Sequence, residues 1–488
     1  MRIFGAAVLV TAIAGSSAFG SRPESIQLGI TRAAFRSSSD ALSTKDRVEV
    51  FEEIWKTVNE KYYDPAFNGV NWRAVRESYR PRIDQASSDE DFFRLLKQMV
   101  GELKDAHTRF ATPAERRERE REQAVSAGLT IFEVEGKPVV ISVEPDSDAS
   151  RAGIEAGMIV VTIDGKPVAD RLAEARARVA GSSTDRAVRL RIYRMIADGD
   201  PGTILKISLA RADGSMLEAS LTRRVVRDVA SVTSKRLASG IGYVKLTLWK
   251  SPVRKQFKNA LKQLSDAPGL IIDLRGNPGG EAEEVVKIAS YFFNSHVSFG
   301  KFSSRGGRAI YLRTDEDDDG FKGPVAILVN EGSGSGSELF AGVMQEKGRA
   351  VVIGRRSCGC VLGISKFRKF GGGELAISEY GYLSPGGKTF EGTGVVPNIE
   401  LELRIADLTQ HRDTALEEAE RLLSRRSQAD SWVHLFALDR LTRFAINRYA
   451  PGTPLGNCLN HAYAVYTYRP FPYSAITSPP FKSGSSAS

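Results

Sequence analysis

The sequence predicts a multi-domain chain: an α/β core, an N-terminal helical segment ahead of it, and a small all-β module inserted between the two. Three observations carry this. Apolar residues between Ser43 and Pro113 recur at helical spacing. From about Val125 to Val226, short β-type runs alternate with turn signals. From about Ser239 to Glu402, strand-like and helix-like runs alternate, the mark of an α/β layer. The 488 residues suffice for two to four domains of roughly 100–200 residues each. A chain that is 42% hydrophobic and 26% charged is neither wholly disordered, collagen-like nor a membrane bundle.

Residues 1–20 read as an export signal. Arg2 gives a positive start, Ile3 to Ala14 form an apolar run, and Gly15-Ser-Ser-Ala-Phe-Gly20 offers small residues for cleavage. The run of about 12 residues is short against the roughly 20 of a bilayer span. The expectation is a periplasmic or secreted protein with no stable membrane insertion after cleavage; an uncleaved N-terminal anchor is the alternative.

The helical segment, 43–113, carries Val48, Phe51, Ile54, Trp55 and Val58, then Phe92, Phe93, Leu95, Leu96, Met99, Val100 and Leu103, which gives two or three amphipathic helices. Glu115-Arg-Arg-Glu-Arg-Glu-Arg-Glu122 reads as a solvated helical link. In the β module, 125–226, strands are expected at Gly128–Phe132, Val139–Val143, Met158–Ile163, Val188–Ile192 and Ile204–Leu209. In the core, 239–405, the order is strand Gly242–Leu246, helix Val253–Ser265, strand Gly269–Leu274 and helix Glu281–Phe293. Strand Pro324–Asn330, helix Gly336–Lys347 and strand Ala350–Gly354 follow. Residues 406–488 read as a C-terminal extension, with the serine- and glycine-rich end disordered.

Sixty-eight Lys plus Arg against fifty-nine Asp plus Glu leave a net charge of +9. No run of Lys and Arg reaches five in a row, which argues against a nucleic-acid partner. Three cysteines are too few for a disulfide framework.

Two loops of the core hold the chemistry. Asp273-Leu-Arg-Gly-Asn-Pro-Gly-Gly280 lies between a buried strand and a helix, where backbone amides suit either a phosphate or an oxyanion. Asn330-Glu-Gly-Ser-Gly-Ser-Gly-Ser-Glu338 also lies between a strand and a helix. A serine there gains from the helix dipole as its oxygen becomes anionic, and the next N–H can complete an oxyanion hole. Helix capping by Ser335 or Ser337 and phosphate cradling are the other readings. Both a Walker-type loop and a Gly-x-Ser-x-Gly elbow fail on the residues present.

The segment Val139 to Val168 resembles the PDZ domains of exported proteases, in which a chain end adds as a strand and a Gly-Leu-Gly-Phe-like loop holds its carboxylate. Gly128, Leu129 and Thr130 fall where that loop would lie; Thr130 departs from the pattern. With Asp105-Ala-His-Thr108, the two core loops, Tyr382-Leu-Ser-Pro-Gly-Gly and Gly394-Val-Val-Pro-Asn, the chain from about Val48 to Leu403 resembles the C-terminal processing (tail-specific) peptidases of family S41. The resemblance implies a ClpP/crotonase-like α/β core, no cofactor and no metal. It also implies a polypeptide substrate recognised by its C-terminal or extended segments. It makes Ser335 the nucleophile, with the N–H of Gly336 and an amide of Gly279 or Gly280 as the oxyanion hole. Nothing in the sequence fixes an oligomeric state.

At the base position the sequence departs from the family. Relatives carry a lysine in a Thr-Phe-Gly-Lys-Gly segment, where this chain has Ser357-Cys-Gly-Cys360-Val, with Cys360 in the lysine's place. Lys366 and Lys369 stand six and nine residues on, roughly 20–30 Å away along a strand. The tricorn-core branch of the family uses a histidine, and His107 and Glu391 match its positions, although Ala106 stands where that branch has a serine. A His107 base is therefore expected, a pKa near 6.5 suiting proton shuttling. The alternative is a weak or inactive pseudoprotease that binds chain ends. His296, His411, His434 and His461 lie in no motif. Cys358 and Cys360 have three readings: small buried residues, metal capture or redox control, and Cys360 as an alternative nucleophile. A bond between residues so close would be strained.

Overall fold

The computed structural model describes residues 41–425, apart from 122, 180, 228, 318 and 319. The expected signal at 1–20 and residues 426–488, with His434, Cys458 and His461, lie outside the described residues.

The N-terminal segment folds as three helices, Thr44–Lys61, Trp72–Asp84 and Asp89–Gly101, each started by a capping side chain from Ser43, Asn71 or Ser88. Their apolar faces, with Phe51, Ile54, Phe92, Leu96 and Met99 fully or almost fully buried, form one cluster. Leu375 and Ile377 of the core join that cluster, and the strand Arg109–Ala111 pairs antiparallel with Gly373–Ala376. The loop at His107 is thereby fastened to the core immediately after the third helix. The charged link is the helix Pro113–Glu120.

The inserted module begins and ends on one antiparallel pair, Gln123–Ser126 against Arg224–Arg227, so the chain leaves the core and returns at the same place. Its sheet runs in the order Leu129–Val134, Lys137–Val143, Ile159–Ile163, Ile204–Ala210, Met216–Thr222, which leaves Leu129–Val134 on an edge. The expected strand at Val188–Ile192 is instead part of the helix Asp185–Met195, and Val168–Arg178 is also helical. Alternating Val-Arg-Leu-Arg-Ile reads as a strand. It is overridden by the Thr184 side chain, which caps the helix by accepting from the Ala187 N–H, and by burial of Ala187, Ile192 and Tyr193. Tyr193 packs on Phe132 of the edge strand, ring centroids 5.6 Å apart.

The core sheet has six strands in the order Val232–Arg236, Gly242–Leu246, Leu270–Asp273, Val325–Val329, Ala350–Gly354, Ile399–Glu400. Only the first pair is antiparallel. On one face, helices Val253–Gln263, Ala282–Ala289 and Gly336–Glu346 bury Phe257, Val285, Leu339 and Phe340 against Leu270, Ile272 and Ile327. On the other face, Ile271, Ala326, Leu328 and Ile353 are covered by Ala415, Ala419 and Leu423. Those three lie on a helix through 414–425, which the sequence reading placed in the extension and not in the core. Between the last core strand and this helix, Leu408, with Leu403 and Ile405 partly buried beside it, packs on Val134 and Val139 of the inserted module.

Candidate active site

Three neighbouring parallel strands set the site. Asp273 lies beside Leu328 in register, and Leu328 beside Ile353. The loops that follow, 274–280, 330–335 and 355–361, therefore leave the sheet side by side at its carboxyl edge, where α/β sheets place their crevices.

The loops are stitched together by buried polar groups. Asn277, fully buried, sends its Nδ2 to the Leu246 carbonyl at 3.0 Å, while its own carbonyl accepts the Gly334 N–H at 3.0 Å and the Ser337 hydroxyl at 3.0 Å. Ser337 Oγ also accepts from the Trp249 indole at 2.9 Å. Ser333 Oγ donates to the Leu274 carbonyl at 2.8 Å and accepts from the Asn330 N–H at 3.0 Å. Two of the three alternating serines thus tie the fold together. The third does not: Ser335, 1% exposed, has a hydroxyl with no hydrogen-bond partner.

Ser335 is also strained. Its φ of +50° lies in the region that favours glycine, at the point where the loop turns into the helix Gly336–Glu346. Strain of this kind is held only where the surroundings over-determine it. Here the Ser335 N–H donates to Glu338 Oε2 at 2.9 Å and to the Cys360 carbonyl at 3.0 Å. The Glu338 N–H goes to the Ser335 carbonyl at 2.8 Å, and so the hydroxyl takes no part in capping.

The glycine turn lies against this elbow. A Cβ on Gly279 would sit 2.6 Å from Ser335 Cβ and 2.8 Å from Gly336 N, and one on Gly280 would sit 2.1 Å from the Trp249 carbonyl. The Gly279 N–H is spent on Asn277 Oδ1 at 2.9 Å. No acceptor among the described residues takes the N–H of Gly336 or Gly280. Of the two glycine amides named from the sequence, Gly280 is the one without an acceptor among the described residues.

Glu338 is the residue that motif reading passed over. Fully buried, it accepts from Ser335 N, Ser357 Oγ, Gly359 N and Cys360 N, and burial pushes its carboxyl up against the pull of these donors. The available signal was an acid three residues after a serine at a helix start, a capping position.

His107 is 3% exposed and its Nδ1 has no partner, so it is not hydrogen-bonded to Ser335. Its backbone N–H and that of Thr108 both donate to Asp105 Oδ1, at 2.7 and 2.6 Å. Burial drives the imidazole down to about 4, with the Arg109 and Arg191 charges acting the same way and Asp105 opposing. The Thr108 hydroxyl donates to Ser378 Oγ. Glu391 accepts the N–H of Val361, next to Cys360, and is hydrogen-bonded to Ser183, whose hydroxyl accepts the Ala106 N–H at 3.0 Å. It therefore spans from the Ser335 side to the His107 side. Burial first, then the Asp105 charge, push its carboxyl up to about 8.

Lys366 and Lys369 are exposed. Cys358 and Cys360 are joined in a disulfide. This corrects the sequence reading: neither sulfur is left to ligate a metal or to act as a nucleophile in this state, and one intervening glycine with φ of +75° lets the chain close so tight a ring. Around the expected carboxylate loop of the inserted module, the Gly128 N–H donates to Ser126 Oγ at 3.0 Å, leaving Leu129 and Thr130 at the start of the free edge strand.

A serine on a strained strand-to-helix elbow, flanked by glycine amides at the edge of a parallel sheet and preceded by an inserted module with a free edge strand, defines the multi-domain α/β protease fold. Residues 240–401 match the model of peptidase family S41. Residues 43–101 match the tricorn protease C1 domain and 139–194 a PDZ domain. The chain is 28% identical over 368 residues to the chloroplastic carboxyl-terminal-processing peptidase 2 of Arabidopsis thaliana, covering 72% of this chain and 68% of that one. It is 25% identical over 399 residues to the carboxyl-terminal-processing protease of Synechocystis, covering 79% and 88%. The solved photosystem II D1 C-terminal processing protease superposes with a TM-score of 0.53 at 24% identity, over 78% of this chain and 97% of that one. No helix among the described residues is long and apolar enough to cross a membrane.

Proposed function

We propose that the protein is an exported serine endopeptidase that cleaves polypeptides presented as chain ends or extended segments. One observation carries the reading: of three alternating serines, only Ser335 keeps its hydroxyl unbonded, on a strained elbow beside two unspent glycine amides. The edge strand Leu129–Val134 supports the substrate class, because an extended peptide can add to it through main-chain hydrogen bonds.

In the proposed cycle Ser335 Oγ attacks the scissile carbonyl and its proton passes to His107, which burial keeps neutral at physiological pH. The Gly336 and Gly280 N–H groups receive the oxyanion. His107 returns the proton to the leaving amine, and water releases the acyl-enzyme. His107 must approach Ser335 for this, since the two share no hydrogen bond in the present arrangement. Glu391, bonded on both sides, is placed to carry that approach.

That same separation, with Cys360 where relatives carry lysine, favours the second reading, a pseudoprotease that binds chain ends. Labelling with a fluorophosphonate serine reagent, beside Ser335→Ala and His107→Ala, decides. Equal labelling of wild type and Ser335→Ala sinks the peptidase reading, and labelling and turnover that survive His107→Ala remove His107 as base.

A further inference from the structure

We propose that the Cys358–Cys360 bridge is a reversible redox control of the Ser335 site: closed, it holds the nucleophile elbow in its reactive shape, and opened by a dithiol it lets the elbow relax. The inference rests on the reading of Ser335 as the nucleophile.

The bridge encloses a single residue, Gly359. Stabilisation from a cross-link grows with the length of chain enclosed, so a ring this small does little for the fold as a whole and acts locally. What it fixes locally is the outer half of the elbow. Gly359 N and Cys360 N donate to Glu338 at 2.7 and 2.9 Å, and Ser357 Oγ adds a third bond. The Cys360 carbonyl takes the Ser335 N–H, and Cys358 N donates to the Ser333 carbonyl at 2.9 Å. The ring is gripped from the far side as well. Thr184, at the start of the inserted module's helix, donates to the Cys358 carbonyl at 2.6 Å, and Arg186 Nε to the Ser357 carbonyl at 3.0 Å. Both acceptors of the Ser335 N–H therefore depend on residues 357–360, the Cys360 carbonyl directly and the Glu338 carboxylate through its three other donors, and the ring sets their mutual geometry.

The two cysteines differ in exposure. Cys358 is half-buried and Cys360 is 5% exposed. A thiolate of the reductant attacks Cys358 Sγ, the sulfur–sulfur bond breaks, and Cys360 leaves as a thiolate that takes up a proton. The second thiol of the reductant then attacks its own mixed disulfide and frees Cys358. The cysteine pair gains two electrons and the dithiol loses two as it cyclises. A small disulfide oxidant reverses the sequence. Opening the ring restores torsional freedom to both cysteines and to Gly359, and the donors to Glu338 lose their fixed spacing.

The test uses the full chain equilibrated with dithiothreitol or its oxidised form. Thiols are alkylated under denaturing conditions and assigned to Cys358, Cys360 or Cys458 by peptide mass. Fluorophosphonate labelling of Ser335 and turnover of an unstructured peptide should fall at least about tenfold on reduction and return on reoxidation. C358S/C360S should stay at the lower level whatever the reductant. Two newly counted thiols with labelling unchanged overturn the proposal, as does a pair that excess dithiothreitol never opens. If neither state labels Ser335, the nucleophile reading fails. Amide exchange at Gly359 and Cys360 then still judges the ring: protection lost on reduction supports it, and protection unchanged overturns it.

Discussion

Glu338 accepts the backbone N–H of Ser335 at 2.9 Å, one helical turn back along the same chain, while the neighbouring N–H of Cys360 meets the same oxygen. A buried carboxylate thus holds the main chain of Ser335 and leaves its hydroxyl free.

Ser335→Ala should abolish serine-reagent labelling and lower peptide turnover by at least about 10³-fold. Its melting temperature should not fall, because the hydroxyl it removes has no partner. Ser337→Ala should do the reverse, costing about 1–3 kcal/mol by leaving the buried Trp249 indole N–H unpaired. Denaturant melts and labelling rates on the two variants check the contrast.

Glu338→Ala strips three donors of their acceptor, leaves the Ser335 N–H with the Cys360 carbonyl alone, and should cost about 3 kcal/mol or more in chemical unfolding. Labelling of Ser335 should fall in proportion beyond the stability loss, since the positive φ of the elbow is no longer held. Wild-type labelling in a folded Glu338→Ala variant would show that the carboxylate is not what positions the serine.

Gly279→Ala must place a methyl group against Ser335 Cβ at 2.6 Å, at a backbone φ of +108° that disfavours alanine. The expected result is a folded protein, destabilised by about 1–3 kcal/mol, with kcat reduced and KM little changed. An unaltered kcat would place the glycine turn outside the reaction.

His107 and Glu391 should tilt the pH profile in opposite senses. His107 has its folded value held at about 4, against about 6.5 in the unfolded chain. Its contribution, of order 3 kcal/mol, is therefore complete above about pH 6.5 and is lost as pH falls through 4. Glu391, raised to about 8, contributes below about pH 4.5 and loses that contribution as pH rises through 8. Unfolding curves from pH 4 to 9 on wild type, His107→Gln and Glu391→Gln should show the acid slope vanish in the first variant and the alkaline slope in the second. If His107 is the base, turnover holds down to about pH 5 and then falls.

The core strands and their helices were legible because buried parallel strands read as unbroken apolar runs, as in Val325–Val329. The place between strand and helix marked the three-serine loop, while the choice of Ser335 within it came from the resemblance to the S41 peptidases. What the sequence hid depends on tertiary neighbours. Whether Gly279 or Gly280 keeps its N–H free is decided by the Asn277 side chain. The alternation in Val188–Ile192 says strand, and only the Thr184 cap and the packing of Tyr193 on Phe132 make it helix. The spacing of the cysteine pair says only that a bridge would be strained, and a glycine between them at positive φ permits the ring.

After the last core strand, the stretch 403–409 lies across the inserted module's sheet, and the chain then returns to cover the core. Along the way Asp413 forms a two-pronged ion pair with Arg275, which also grips Asp273 at the root of the glycine loop. The same few residues are therefore a belt and an anchor. Any swing of the module must either peel Leu408 from Val134 and Val139 or pull on the glycine loop beside Ser335, so position at one end is converted into tension at the other.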